Sequence, residues 1–199
     1  MRALLKFSNA VDWLNTQIGK HVIWLILAST VISGLNAIVR KVFNVSSNAY
    51  LEVQWYLFAA SFLIAAGYTL LQNEHVKIDV VSSRLSKRGQ IWVDIIGFTV
   101  FLTPVCVALL YYGIPFFVRG FQSGEVSGNA GGLVRWPVYA MIPLGFTLLL
   151  LQGWSELIKR IAFLKGLIED PTVKKVEKTA EEELAEAIRR LAETKNNAA

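Results

Sequence analysis

The stretch that decides the fold is residues 95–118, IIGFTVFLTPVCVALLYYGIPFFV. It carries no charge and exceeds the roughly 20 apolar residues that a helix needs to cross the hydrocarbon core of a bilayer. In lipid a backbone N–H or C=O finds no water, so such a run must close its own hydrogen bonds as a helix. Pro104 and Pro115 each remove a donor and are expected to kink it. Working outward, three more runs meet the same requirement. Residues 22–39 are uncharged, and Ser29, Ser33, Gly34 and Asn36 offer small or polar positions for close helix approach. Residues 53–71 are also uncharged. The fourth, 136–155, contains Pro143 and has its apolar part at Val138–Trp154, short enough to draw on the flanking Leu133–Pro137 segment or on protein packing.

The expected fold class is therefore all-α: an integral membrane protein with four transmembrane helices. Composition agrees, since 54% hydrophobic and 18% charged residues are too apolar a mixture for a soluble domain of this length. The net charge of +5 lies beside the apolar runs and not in a block, which argues for membrane topology and against nucleic acid. A single cysteine, Cys106, sits inside an apolar run, so neither an intrachain disulfide nor a thiol cluster is available. The first apolar run begins only after about twenty residues and lacks a small-residue cleavage site, so it is expected to stay on the protein.

Basic residues near span ends are retained in the cytoplasm, which sets the orientation. Arg2, Lys6 and Lys20 precede the first span; Lys77, Arg84, Lys87 and Arg88 lie between the second and third; Lys159, Arg160 and Lys165 follow the fourth. The opposite loops hold only Arg40 and Lys41 in one and Arg119 and Arg135 in the other. Both termini are thus expected in the cytoplasm. Trp24, Trp55, Trp92, Trp136 and Trp154 fall near span ends, as interfacial rings do.

Three regions follow. In residues 1–20, Leu4, Phe7, Val11, Leu14 and Ile18 recur at helical spacing, which predicts an amphipathic helix lying in the cytoplasmic interface or, failing that, prolonging span one. Residues 21–165 form the four-helix transmembrane domain. Val76–Leu85 shows a weaker stripe of the interfacial kind. Residues 166–199 read as a cytoplasmic helical tail, with Glu186 and Arg190 spaced as an ion pair.

A carrier of charged solutes needs ionisable groups or broken helices near the midplane, and the four span interiors contain no charge. Glu52 and Asp94 open spans and Glu156 closes one. Two other classes stay in view. A self-sufficient small transporter would use Glu52 as its proton site. A haem-bearing electron carrier would use His21 and His75, whose plainer roles are an interfacial residue and a local bond to Asp79. No nucleophile–base arrangement is visible, so no enzymatic activity, catalytic residue, substrate-binding residue, metal ligand or cofactor is expected. The loop Gly124–Pro137, GEVSGNAGGLVRWP, combines turn-forming glycines with Arg135 and Trp136 and suits either a docking loop or a plain connector.

From about Asn9 to Lys165 the chain resembles the small, DctQ-like membrane subunit of tripartite ATP-independent periplasmic (TRAP) transporters. The strongest part is Leu51–Asp79, LEVQWYLFAASFLIAAGYTLLQNEHVKID, where a glutamate and a tryptophan open span two and a histidine and an aspartate follow it. NVSSNAYLEVQWYLF and SGNAGGLVRWP resemble the branch labelled for mannitol or chloroaromatic compounds, a label that assigns no substrate. The resemblance implies a non-catalytic scaffold in the bacterial inner membrane. Its partners would be a large elevator-type permease, driven by sodium and taking up an organic acid, and a periplasmic binding protein that delivers the substrate. It further implies Glu52, Gln54, Trp55, His75 and Asp79 as subunit or structural contacts, and Asn129, Arg135 and Trp136 as contacts on the periplasmic side.

Overall fold

The computed structural model describes residues 1–44, 47–74 and 85–172. His75 and Asp79, nearly all of the stripe expected over 76–85, and the tail from 173 onward lie outside the described residues. Within them the elements are α1 (Arg2–Phe43), α2 (Asn48–Leu71), α3 (Lys87–Ile96), a π-helical turn (Gly97–Leu102), α4 (Thr103–Ser123) and α5 (Trp136–Leu164). The stretch from α3 to α4 runs as one helix, so four helices are long and apolar enough to cross a membrane. That is the all-α membrane architecture that the apolar runs predict.

The distribution of side chains is that of a protein dissolved in lipid. Large apolar groups face outward: Phe62 is 72% exposed and Tyr111 71%. Polar ones are inside, with Ser8, Asn15, Gln152, Ser155 and Arg160 wholly inaccessible. Lipid tails are as apolar as leucine, so burying leucines gains little there, and close backbone approach and polar contacts hold the helices together instead. Helix α5 packs against every other helix and forms the hub. Its glycines admit the neighbours: a Cβ on Gly145 would stand 2.6 Å from the Leu63 carbonyl oxygen of α2. The short fourth span therefore leans on protein, and begins at Trp136 inside the flanking segment that sequence reading assigned to it.

Pro104 has no N–H, and in a regular helix its ring would strike the carbonyl four residues earlier. The turn before it is wound as a π-helix, and the Thr103 N–H reaches back to the Phe98 carbonyl, which the Thr103 hydroxyl also contacts at 2.8 Å. Pro115 and Pro143 lie within α4 and α5 without ending them.

Helix α1 is unbroken through residue 20, where sequence reading set a regional boundary. Its 42 residues span about 63 Å, roughly twice the hydrocarbon thickness. In its first half Leu4, Phe7 and Leu14 are exposed, and the buried side carries Ser8, Val11 and Asn15. The stripe is thus split: Leu4, Phe7 and Leu14 face outward, while Val11 joins the largely polar edge that meets α5.

Candidate functional site

Two polar clusters stand at opposite ends of the bundle. The first joins the start of α2 to the loop between α4 and α5. That loop is a small hairpin: Val126 and Val134 pair antiparallel, Ser127 N donates to Leu133 O at 2.9 Å and Arg135 N to Glu125 O at 2.9 Å. Its tip is a turn in which Gly132 N bonds Asn129 O at 2.9 Å and Gly131 takes φ +71°, a backbone region that suits glycine. A Cβ at Gly132 would lie 2.5 Å from that of Ser127, so the second glycine lets the two arms close.

Three residues of α2, one per turn, grip this hairpin. Asn48 Nδ2 donates to Ala130 O at 3.0 Å and the Tyr56 hydroxyl to Val134 O at 3.0 Å. Between them Glu52, 1% exposed, accepts from Asn129 Nδ2 at 2.9 Å on one oxygen and from Leu133 N at 2.7 Å on the other. A carboxylate is acceptor-only, so this buried group, which the Ser127 side chain also meets, is matched to the hairpin's donors and binds the loop firmly. A cavity of about 240 Å³ beside it is lined by Trp55, Tyr56, Arg135 and Tyr139 among others.

The remaining sequence candidates sit around this core. Arg135 bonds Glu125 at 2.9 Å, and both side chains are about two-fifths exposed. Tyr139 donates to the same Glu125 oxygen at 3.1 Å. Trp136 stacks edge-on against Phe121, centroids 5.5 Å apart, closing the corner between α4 and α5. Trp55 stands 58% exposed. Gln54 belongs elsewhere: its carbonyl accepts from Ser29 at 3.2 Å and its side chain lines a cleft between α1 and α2. Of the eight candidates, the structure thus brings together Glu52, Asn129, Arg135 and Trp55, with Trp136 at the edge against Phe121.

The second cluster was missed by sequence reasoning. At the other end, α5 presents Gln152, Ser155, Glu156, Lys159 and Arg160 on one face at spacings of three and four. Asp12 of α1 accepts from Gln152 at 2.8 Å, Ser155 at 2.7 Å and Lys159 at 3.0 Å. Glu156 pairs with Lys159 and with Arg160. Arg160, wholly buried, also reaches Asp94 of α3 at 2.8 Å and stacks over Phe98 of the π turn at 4.8 Å. Asn15 donates to Gln152 at 2.9 Å, and Ser8 and Ser155 share a 2.6 Å hydroxyl bond. The signal was there in the polar residues of α5 at 152, 155, 156, 159 and 160, a helical stripe as regular as any apolar one.

His21 Nδ1 lies 2.7 Å from the Gln17 carbonyl oxygen of its own helix, a local bond. Among the described residues no group of three or more His, Cys, Asp and Glu side chains is placed to hold a metal ion. Both clusters are built to hold helices and a loop in register.

The family described as tripartite ATP-independent periplasmic transporters, DctQ component, matches residues 29–163, more than half of the chain. The chain belongs to the DctQ family. No curated protein sequence matches it. This DctQ chain is thus the small membrane component of a TRAP transporter and a multi-pass membrane protein. The match takes in the whole Glu52 cluster and the α5 side of the ionic cluster, and it begins after Ser8, Asp12 and Asn15 of α1.

Proposed function

We propose that this DctQ chain is a non-catalytic scaffold of the bacterial inner membrane, paired with a large elevator-type permease. That permease, driven by sodium, takes up an organic acid delivered by a periplasmic binding protein. The observation that carries this is where the charge lies. The interiors of all four spans are free of acidic and basic side chains, and the acids at the span ends are held in fixed contacts: Glu52 by the hairpin, and Asp94 and Glu156, with Asp12 of α1 beside them, by Lys159 and Arg160. An ion path needs groups that bind and release, whereas a scaffold needs register and apolar faces for a neighbour.

Both termini are assigned to the cytoplasm from the lysine and arginine bias. The first part of α1, the end of α3 and the last turns of α5 meet at the ionic cluster, so the basic flanks of these helices share one end. The first half of α1, continuous with span one, prolongs that span into the cytoplasm with Leu4, Phe7 and Leu14 outward. The hairpin end then faces the periplasm. There Asn129 and Glu52 serve each other, and Arg135, Trp136 and Trp55 are the contacts available to a partner subunit or binding protein.

The test is purification of the tagged chain from native membranes in mild detergent, with identification of any stoichiometric membrane partner. Recovery of one large permease, with transport only by the pair, is expected. A partner-free chain that transports alone, and loses transport on Glu52→Gln, would overturn the scaffold.

A further inference from the structure

Helices α1 and α2 touch where the Ser29 hydroxyl meets the Gln54 carbonyl at 3.2 Å, and toward their connection they enclose a cleft of about 480 Å³. Asn36, Arg40, Lys41 and Asn44 line it from one face of α1, and Leu51 and Gln54 from α2. No acid lines it, and no ion pair engages either cation within the described residues. The Gln54 amide nitrogen has no hydrogen-bond partner. The first turn of α2 brings no acidic residue and no side-chain cap to this end. Two cations and three amide side chains are thus gathered, uncompensated, at the end of an apolar span.

Beside the cleft the two helices present exposed apolar surface. On α1, Ser33 and Ala37 line the cleft itself, and a Cβ on Gly34 would meet nothing within 4 Å. On α2, Phe58 and Phe62 follow Leu51 and Gln54 on the same face and are 64% and 72% exposed. A charged recess thus stands beside exposed apolar surface.

We infer that this cleft is a phospholipid site, in which Arg40 and Lys41 hold the headgroup phosphate of an anionic diacyl lipid. Arginine matches phosphate oxygens in a fork, and lysine adds a point charge. The amides of Asn36, Asn44 and Gln54 supply neutral donors to the remaining oxygens and the glycerol. One acyl chain lies against the exposed apolar surface beside the cleft, where Phe58 and Phe62 stand. A cation pair of this kind at a span end, between helices, is the chemistry by which membrane proteins select anionic headgroups. The site requires that the chain lie in a bilayer and does not depend on its pairing with a permease.

The test is native mass spectrometry of the full-length chain in mild detergent, titrated separately with dioleoyl-phosphatidylglycerol, with dioleoylglycerol and with inorganic phosphate. A saturable phosphatidylglycerol adduct is expected, weakened about tenfold or more in the Arg40→Gln/Lys41→Gln double variant. Ala37→Phe, which fills the cleft and keeps both charges, should also abolish it. An Arg119→Gln/Lys165→Gln control should bind as the wild type does. Should the double variant misfold, Ala37→Phe decides the matter. Equal binding of dioleoylglycerol would make the site purely apolar, and displacement of the lipid by equimolar phosphate would make it a free-anion site. Either result, or undiminished binding in the charge-removed or cleft-filled variant, overturns the assignment.

Discussion

The Leu133 amide donates a 2.7 Å hydrogen bond to the Glu52 carboxylate across 81 positions of sequence, tying the α4–α5 hairpin to the first turns of α2. Glu52→Gln replaces one acceptor oxygen with a donor that faces either that amide or Asn129. Leaving a buried partner unsatisfied costs about 1–3 kcal/mol. The hairpin should then detach locally while the helices persist. Limited proteolysis or cysteine labelling at Ser127 reads this directly, and faster attack in the variant is expected. An unchanged rate would mean that Glu52 does not hold the loop.

Gly145 of α5 lies against the backbone of α2, where the Leu63 carbonyl oxygen would be 2.6 Å from an added Cβ. A backbone atom has nowhere to rotate, so Gly145→Ala must push the two helices apart. Overpacking of this kind costs about 1–3 kcal/mol. Gly34→Ala meets nothing within 4 Å and exchanges glycine for a better helix former. Thermal unfolding of the detergent-solubilised chain should show a clear drop for the first variant and none for the second. Equal behaviour of the two would contradict the close α2–α5 contact.

The four helices were legible because lipid imposes a crude rule, a long uncharged run, which 95–118 satisfies by itself. Helix ends were less so: α1 carries Lys6, Asp12 and Lys20 yet does not break, since charged residues in a helix need only a wet or paired side and not a stop. The Glu52 cluster was half legible. Glu52, Asn129 and Arg135 drew attention separately, but only the hairpin brings Asn129 against Glu52, and the hairpin depends on two glycines whose effect is steric. The ionic cluster was hidden by the same charge count that revealed topology. Lys159 and Arg160 counted as cytoplasmic charges near a span, and nothing local in sequence says that Asp12 and Asp94 arrive to pair with them.

Arg160 is wholly buried between Asp94, Glu156 and the Phe98 ring and joins α5 to α3 and the π turn. Arg160→Leu removes the guanidinium from between Asp94 and Glu156; removing one partner of a buried pair typically costs about 3–5 kcal/mol, and Lys159, which still pairs with Glu156, offsets part of it. Removing Asp94 as well, in Arg160→Leu/Asp94→Leu, takes away one of the two carboxylates that Arg160 faced. The double variant should therefore be less damaged than the sum of the single ones, by about 0.5–3 kcal/mol. Unfolding in a titration with denaturing detergent measures all three. Simple additivity would mean that Arg160 and Asp94 act independently.

At the same end the Lys87 ammonium, at the start of α3, meets Asp170 beyond α5 at 2.8 Å and the Thr172 hydroxyl at 2.6 Å. Partial burial pushes the Asp170 carboxyl up, but the Lys87 ammonium and the Thr172 N–H and hydroxyl outweigh it and hold the group below its ordinary value of 3.8. A carboxyl so held binds its proton more weakly in the folded chain than in the unfolded one. Its contribution is therefore complete above the ordinary aspartate value and is lost as pH falls through the lower, folded one. Because Lys87 is 45% exposed, water and salt limit the tie to about 0–1 kcal/mol. Hydrogen-exchange protection of the first turn of α3 should thus be higher in the wild type than in Lys87→Gln at neutral pH. The two should converge in acid, once the pH has fallen through the lowered folded value, and at neutral pH the gap should narrow in concentrated salt. A gap that persisted in acid would mean that Lys87 steadies α3 through some contact other than Asp170.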